Sequence, residues 1–270
     1  MKARKWLALG LAAVMTMALV TGCGSNAAKD SGSGAKNSGK IIVGLDDNFP
    51  PMGFKDENNE ITGFDVDLAK EASKRLGREV EFKAIDWSSK EAELKSGRVN
   101  VLWNGLDITE KRKENMLFSD PYMDNRQIIF VKKGRTDIQD ESSLKGKNVG
   151  TQSASTAEEY LDGDVFKKVG AKEIKKYPDF VNAFMDLENG RIDAVIGDEI
   201  VGRYYMSKHS DFIEAVDVAV GPVSQFGIAF AKDNQQLRDE VQKVLDEMKA
   251  DGTIAKISEK WFGKDITIQK

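Results

Sequence analysis

A chain of 270 residues can bury a substantial core in one or two domains, and a net charge of −4 argues against a nucleic-acid surface. One Cys and one His exclude a disulfide within the chain, a Cys/His zinc site and a Cys–His dyad. We therefore expect neither a metal ion nor a cofactor.

The N-terminus is typical of an exported protein. Basic residues precede an apolar run, residues 6–20, which is too short to span a bilayer comfortably. The run leads through Val-Thr-Gly to Cys23, which resembles a lipoprotein signal cleaved before the Cys. We predict a signal peptide over residues 1–22, lipid attachment at Cys23 and a flexible Gly/Ser-rich tether over residues 23–39. The alternative is an ordinary secretory signal with an incidental Cys.

Strands and helices alternate along the next part of the chain. The predicted elements are a strand over residues 40–45, a helix over 64–76 closed by Gly77, a strand over 79–84, a helical stretch from Trp87 to 97, and a strand over 99–103. This βαβ order predicts a largely parallel sheet. We predict that the last of these strands stops at an Asn104-Gly105 turn.

The second half of the chain faintly repeats the first. Residues 94–102 and residues 187–195 both read as a helix end, a Gly at the C′ position and a buried strand. Two similar α/β lobes would explain the repeat, and chance repetition of a common pattern is the alternative.

Two stretches with a strand pattern predict how the lobes are connected. Residues 127–132 are predicted to leave the first lobe, and residues 224–231 to return to it, before two C-terminal helices. The predicted lobes are residues 40–131 with 224–270, and residues 132–223. Two such connections allow the lobes to open and close as a hinge.

The stretch from residue 101 to residue 122 carries the most chemistry. Thr109 stands where a helix N-cap would, and Arg112 lies on the following turn. A guanidinium beside a helix start suits an anion, and a carboxylate fits its planar shape. A solvated Arg on a helix start is the alternative.

These residues resemble a known family. Gly105, Thr109, Arg112 and the Phe-Ser-Asp-Pro-Tyr sequence at residues 118–122 match extracellular solute-binding proteins of polar amino-acid ABC importers, bacterial solute-binding protein family 3. The similarity runs from about residue 41 to residue 262. It implies an α/β, two-lobe periplasmic-binding-protein-like type II fold with two crossover strands and a ligand cleft between the lobes.

The resemblance also implies a function. We expect a monomer, lipid-anchored on the extracytoplasmic face of the cell membrane, that binds a free amino acid and delivers it to a permease subunit. The resemblance assigns the ligand carboxylate to Arg112, assisted by Ser155 and Thr156, and the ammonium to Asp198. N-caps are the alternative for Ser155, Thr156 and Asp198. The remaining predicted ligand-binding residues are Asp46, Phe49, Trp87, Asn104, Gly105, Leu106, Asp107 and Gln152.

Several of these residues have a specific expected role. Leu106 would offer its carbonyl or Gly105 its N–H, and Phe49 and Trp87 would surround the ligand side chain unless they only pack in the core. Asp46 matches a family position that meets the polar tip of the ligand side chain.

Asp107 departs from the family pattern, in which Ser or Thr is frequent. A third carboxylate near Asp46 and Asp198 favours a basic ligand, namely arginine, lysine or histidine, unless Asp107 only strengthens the ammonium site. Glutamine and cystine are the alternative ligands.

Two other functions use the same fold. Asp107 and Asp198 could act as an acid–base pair in an enzyme that resembles cyclohexadienyl or arogenate dehydratases. The chain could also be an amino-acid sensor for a membrane receptor. The intact Arg112 motif and the lipoprotein signal favour a binding protein over an enzyme.

Overall fold

The computed structural model describes residues 39–269. The predicted signal peptide and Cys23 lie outside this range, and so does the predicted tether apart from Gly39. Within residues 39–269, no helix is long and apolar enough to cross a bilayer.

The first part of the chain follows the predicted order of elements. Its strands are β1 (Ile41–Leu45), β2 (Asn48–Phe49), β3 (Gly53–Lys55), β4 (Ile61–Thr62), β5 (Val80–Ala84), β6 (Val101–Asp107), β7 (Met116–Phe118) and β8 (Met123–Asn125). Its helices are α1 (Phe64–Leu76), α2 (Lys90–Lys95), which follows a 3-10 turn at Trp87–Ser89, and α3 (Glu110–Lys113). The predicted helix over residues 64–76 is confirmed, and Gly77 ends it in the left-handed conformation.

The middle of the chain forms a second set of elements. Its strands are β9 (Gln127–Lys132), β10 (Asn148–Gln152), β11 (Glu173–Tyr177), β12 (Ala194–Asp198) and β13 (Ile213–Ala219). Its helices are α4 (Thr156–Leu161), α5 (Asp164–Lys167), α6 (Phe180–Glu188) and α7 (Glu199–Lys208), with a 3-10 turn at Ser142–Leu144. The C-terminal part adds β14 (Ser224–Ala231), α8 (Gln235–Ala250) and α9 (Thr253–Phe262).

These strands form two main sheets with matching topology. The first has the order β5-β1-β6-β14-β7, with β8 also paired to β14, and the second has the order β11-β10-β12-β9-β13. β1 runs parallel to β5 and β6, and β10 runs parallel to β11 and β12. Gly97 and Gly190 both have positive φ, at 73° and 69°, after the helices that precede β6 and β12. The predicted two-lobe α/β fold is confirmed.

Helices cover both faces of each sheet. In the first lobe, α1, α8 and α9 pack on one face and α2 packs on the other, which gives two separate apolar clusters. In the second lobe, α6 and α7 cover one face and α4 covers the other. Since both faces are buried, the polar side chains that can meet a ligand lie at the strand ends.

The chain crosses between the sheets twice, as predicted. It passes from β8 to β9 through Arg126, and it returns from β13 to β14 through residues 220–223. The predicted first lobe includes residues through 131. β9 instead hydrogen-bonds with β12 and β13, so the change of sheet comes before β9.

β6 is longer than the sequence predicted. The predicted stop at Asn104-Gly105 is wrong, because β6 continues to Asp107. Gly105 has φ of 55° within the strand, and a Cβ there would lie 2.7 Å from the Phe49 ring. The pairing with β14 shifts register beside it, so this Gly marks a bulge and a close approach rather than a strand end.

Candidate ligand-binding site

The ends of β6, β10 and β12 meet around one small cavity with residues from both lobes. Its volume is about 10 Å³, room for about one water molecule, which is too small for a ligand of amino-acid size in this arrangement. Asp46 and Asn104 are not in its lining. Ten of the predicted residues line it: Phe49, Trp87, Gly105, Leu106, Asp107, Arg112, Gln152, Ser155, Thr156 and Asp198.

Arg112 supplies a positive charge to this lining. Arg112 is only 2% exposed to solvent, which contradicts the alternative of a solvated Arg. The predicted N-cap is confirmed, since Thr109 Oγ1 accepts the Arg112 N–H at 3.2 Å. Nη1 donates to the Asp107 carbonyl at 2.9 Å and to Thr156 Oγ1 at 3.1 Å. The second bond joins the first lobe to the second.

One edge of the Arg112 guanidinium retains donor capacity. Nη2 donates to Glu159 Oε1 at 3.3 Å, and buried Nε has no acceptor within residues 39–269. Nε and Nη2 form the edge that a carboxylate can bind with both oxygens. A buried donor without an acceptor costs about 1–3 kcal/mol, so this edge is suited to an anion.

Ser155 and Thr156 lie at the start of α4 and differ in role. Ser155 Oγ accepts the Glu158 N–H at 3.0 Å and donates to the Gln152 carbonyl at 2.8 Å. The N-cap interpretation is therefore confirmed for Ser155, and its hydroxyl proton is already engaged. The Thr156 hydroxyl instead accepts from Arg112.

Asp107 of the first lobe and Asp198 of the second share one amide. Asn125 Nδ2 donates to Oδ1 of both carboxylates, at 3.0 Å for Asp107. Asp198 also accepts from Gln127 Nε2 at 2.9 Å, and Asp107 accepts from Ser224 Oγ at 2.6 Å. Asp198 occupies the predicted N-cap position of α7, but within residues 39–269 its side chain makes no cap bond to that helix.

The environment of Asp198 favours its neutral form. Burial, followed by the charge of Asp107, raises the pKa of Asp198 to about 7, against the opposing effects of its amide donors and Arg112. A cation placed beside these two carboxylates would therefore be strongly attracted, because it would relieve the repulsion between them.

Asp46 and Asn104 support the cavity wall. Gln152 Nε2 donates to Asp46 Oδ2 at 2.6 Å across the lobes, and the Asp46 N–H donates to Asn104 Oδ1 at 3.0 Å. Burial raises the pKa of Asp46 to about 7, while the Asn48 N–H and Gln152 oppose the shift. Asn104 Nδ2 finds no acceptor among the described residues.

The N–H of Gly105 is engaged within the protein. It donates to Asp65 Oδ2 at 2.6 Å, and the Tyr122 hydroxyl donates to the same oxygen at 2.9 Å. This contradicts the expectation that Gly105 offers its N–H to a ligand. Of the two backbone groups expected to meet the ligand, the Leu106 carbonyl stays a prediction.

Two aromatic rings flank the cavity and take part in contacts between the lobes. Phe49 packs against Phe180 with a centroid distance of 6.1 Å. Lys90 Nζ lies 5.1 Å from the centroid of the Trp87 ring and donates to the Ala154 carbonyl at 2.7 Å. Burial, followed by the charge of the neighbouring guanidinium, lowers the pKa of Lys90 to about 8.

Four polar residues at this site were not predicted. Asn125 and Gln127 flank the first crossover, and the predicted strand start at Gln127 was an available signal for them. No sequence pattern indicates Lys90 or Glu159, because charged residues on short helices look alike in sequence whether they face water or the other lobe.

The comparisons with known proteins agree on one family. The family model for bacterial extracellular solute-binding proteins, family 3, matches residues 41–264. The chain is similar to the L-cystine-binding protein TcyJ of Escherichia coli (strain K12), with 34% identity over 260 residues, covering 95% of this chain and 96% of TcyJ.

Solved structures give the same result. An ancestral arginine-binding protein bound to arginine matches with 43% identity and a TM-score of 0.79, covering 83% of this chain and 99% of that one. An ABC transporter substrate-binding protein from Streptococcus pneumoniae with bound histidine matches with 32% identity and a TM-score of 0.79, covering 86% and 95%. The chain therefore belongs to the bacterial extracellular solute-binding proteins, family 3.

Proposed function

We propose that this chain binds a free polar amino acid outside the cell and delivers it to the permease of an ABC importer, with a basic side chain favoured. The observation that carries the proposal is one cavity lined by Arg112 and by the Asp107–Asp198 pair. A free amino acid carries a carboxylate and an ammonium on one carbon. Its two charges match these two groups, and a buried charge needs such a partner.

The backbone of the ligand would be held at both charged ends. Its carboxylate binds the Nε/Nη2 edge of Arg112, with the Thr156 hydroxyl beside it. Its ammonium binds Asp198, and Asp107 adds to the same end, since the two carboxylates share the Asn125 amide. This arrangement supports the ammonium role of Asp107 over contact with the ligand side chain.

The side chain of the ligand would lie between Phe49 and Trp87, with Gln152 and Asp46 towards its polar tip. The carboxyl groups of Asp46, Asp107 and Asp198 make this region acidic, and a basic ligand would stabilise their charged forms, which favours such a ligand. The similar proteins with bound arginine and bound histidine support this preference. Glutamine and cystine remain the alternative ligands, the latter because of the similarity to TcyJ.

Delivery would depend on opening and closing of the lobes. A ligand that touches Arg112 on one lobe and Asp198 on the other favours the closed form. We propose a hinge at the two crossovers, at Arg126 and at residues 220–223. We also propose that Cys23 carries a lipid and that residues 23–39 tether a monomer to the outer face of the cell membrane.

The enzyme and sensor alternatives predict different results. The named relatives are binding proteins, and the Asn125 amide already occupies Oδ1 of both Asp107 and Asp198. We expect no turnover of prephenate or arogenate. A sensor would co-purify with a receptor rather than with an importer permease.

Native mass spectrometry of the freshly purified chain, beginning after Cys23, tests the proposal. We expect a bound mass equal to one amino acid, followed by calorimetric binding of arginine, lysine or histidine. Asp198→Asn is expected to lose binding, whereas Asp211→Asn, which neutralises an exposed carboxylate of the same lobe, retains it. A folded wild-type chain that binds no amino acid contradicts the proposal.

A further inference from the structure

We infer that Glu159 competes with the ligand carboxylate for Arg112 and so sets the affinity of the site. This inference rests on the proposed function. Glu159 Oε1 lies 3.3 Å from Arg112 Nη2 and joins the second lobe to the first. The Arg112 side chain is 2% exposed and the Glu159 side chain is 27% exposed, so one partner is fixed and the other has access to water.

The ligand carboxylate and the Glu159 carboxylate compete at the Nε/Nη2 edge of Arg112. Nη1 is held by the Asp107 carbonyl and by Thr156 Oγ1, which fixes the guanidinium. A ligand carboxylate that uses both Nε and Nη2 would compete with Glu159 for Nη2. We expect the contact of Glu159 with Arg112 to weaken when the ligand binds, since Glu159 has access to water.

This exchange keeps the buried charge paired in both closed forms, by Glu159 when no ligand is present and by the ligand carboxylate when one is bound. Without a counter-ion, a guanidinium as buried as that of Arg112 is strongly destabilising. Glu159 meets this need before the ligand arrives, and the ligand then gains only the difference between the two carboxylates. The affinity should therefore be lower than the contacts of the ligand alone would give.

The neighbouring Glu158 makes different contacts and does not pair with Arg112. Glu158 bonds to the Ala154 N–H and to Lys176 within its own lobe. Both acids lie in the first turn of α4, where a negative charge favours the helix. The contact with Arg112 distinguishes Glu159 from this general helix effect.

Calorimetry with arginine and glutamine on the wild type, Glu159→Gln and Glu159→Ala tests the inference. We expect both variants to bind roughly three- to tenfold more tightly, with Ala at least as strong as Gln. The gain should be the same for both amino acids, because the carboxylate is common to them. Asp162→Asn removes the same charge at the end of α4, where the side chain bonds to Lys176, and should leave the affinity unchanged.

The outcomes separate this inference from the proposed function. Unchanged or weaker binding in both Glu159 variants overturns it, and weaker binding would mean that Glu159 holds Arg112 in place for the ligand. A gain shared by Asp162→Asn also overturns it, since the effect would then be one of net charge. A wild type that binds no amino acid refutes the proposed function itself. Thermal unfolding confirms that each variant is folded.

Discussion

Replacement of Arg112 by Ala is the most direct test of the binding site. The guanidinium is buried, and it is held by the Asp107 carbonyl, Thr156 and Glu159. Removing one partner of a desolvated charge pair costs about 3–5 kcal/mol. Since about 1.4 kcal/mol is tenfold, affinity should fall by roughly 10²- to 10³-fold or more. The dissociation constant of a micromolar ligand would rise to about 0.1 mM or to several millimolar.

The assay is calorimetry with the preferred amino acid, combined with thermal unfolding. Arg112→Lys keeps the charge but loses the Nε/Nη2 edge, so its affinity should lie between those of the wild type and Arg112→Ala. Lys111→Ala removes an exposed charge from the same helical turn and serves as the control. The Thr109 hydroxyl remains in each variant to cap the helix start. Wild-type affinity in folded Arg112→Ala would refute the assignment of the carboxylate site.

The remaining predictions concern Asp107, the closing of the lobes and the effect of pH. Asp107→Thr should weaken arginine, lysine, histidine, glutamine and cystine alike, by about tenfold to a hundredfold; a loss confined to basic ligands would place Asp107 at the side chain instead. The ligand should reduce the radius of gyration measured by small-angle scattering, and an unchanged profile at saturation would contradict a cleft site. Because the pKa of Asp198 is raised to about 7, affinity measured by calorimetry should fall as pH drops below 7, by up to about tenfold per unit, and a flat pH profile would contradict an ionised Asp198 at the ammonium. The same raised pKa also affects the stability of the unliganded chain. Between pH 3.8, the ordinary pKa of an Asp carboxyl, and about pH 7, the native Asp198 carboxyl keeps a proton that the unfolded one has released, so the free energy of unfolding falls as pH rises.

Much of the fold could be predicted because its signals are local. The apolar spacing of α1 and the Gly that follows it fix that helix, and the Gly97 and Gly190 repeat indicated the second lobe. The end of β6 could not be predicted. An Asn-Gly pair ordinarily indicates a turn, whereas here the packing of Gly105 against Phe49 and the pairing with β14 continue the strand.

The contacts within the site were less predictable, because the residues that bond to one another there are distant in the sequence. The family motif brought together the residues that line the cavity, but it said nothing of which hydrogen bonds they already make. Asp65 accepts the N–H of Gly105, which lies 40 residues later in the sequence, and Asn125 donates to two carboxylates from different lobes. Such contacts are set by the packing of the two lobes and not by local sequence.

The charges around the cavity predict that the ligand side chain matters for affinity. In the proposed site, a zwitterion pairs its carboxylate with Arg112 and its ammonium with the Asp107–Asp198 pair, and it adds no net charge. The Asp46 carboxyl, proposed to lie towards the tip of the ligand side chain, then remains as an excess negative charge when it is ionised, and burial raises its pKa to about 7. A neutral side chain such as that of glutamine leaves this excess to be met by a retained proton. A basic side chain supplies the missing charge itself, so arginine, lysine and histidine complete the balance of a closed site that glutamine leaves incomplete.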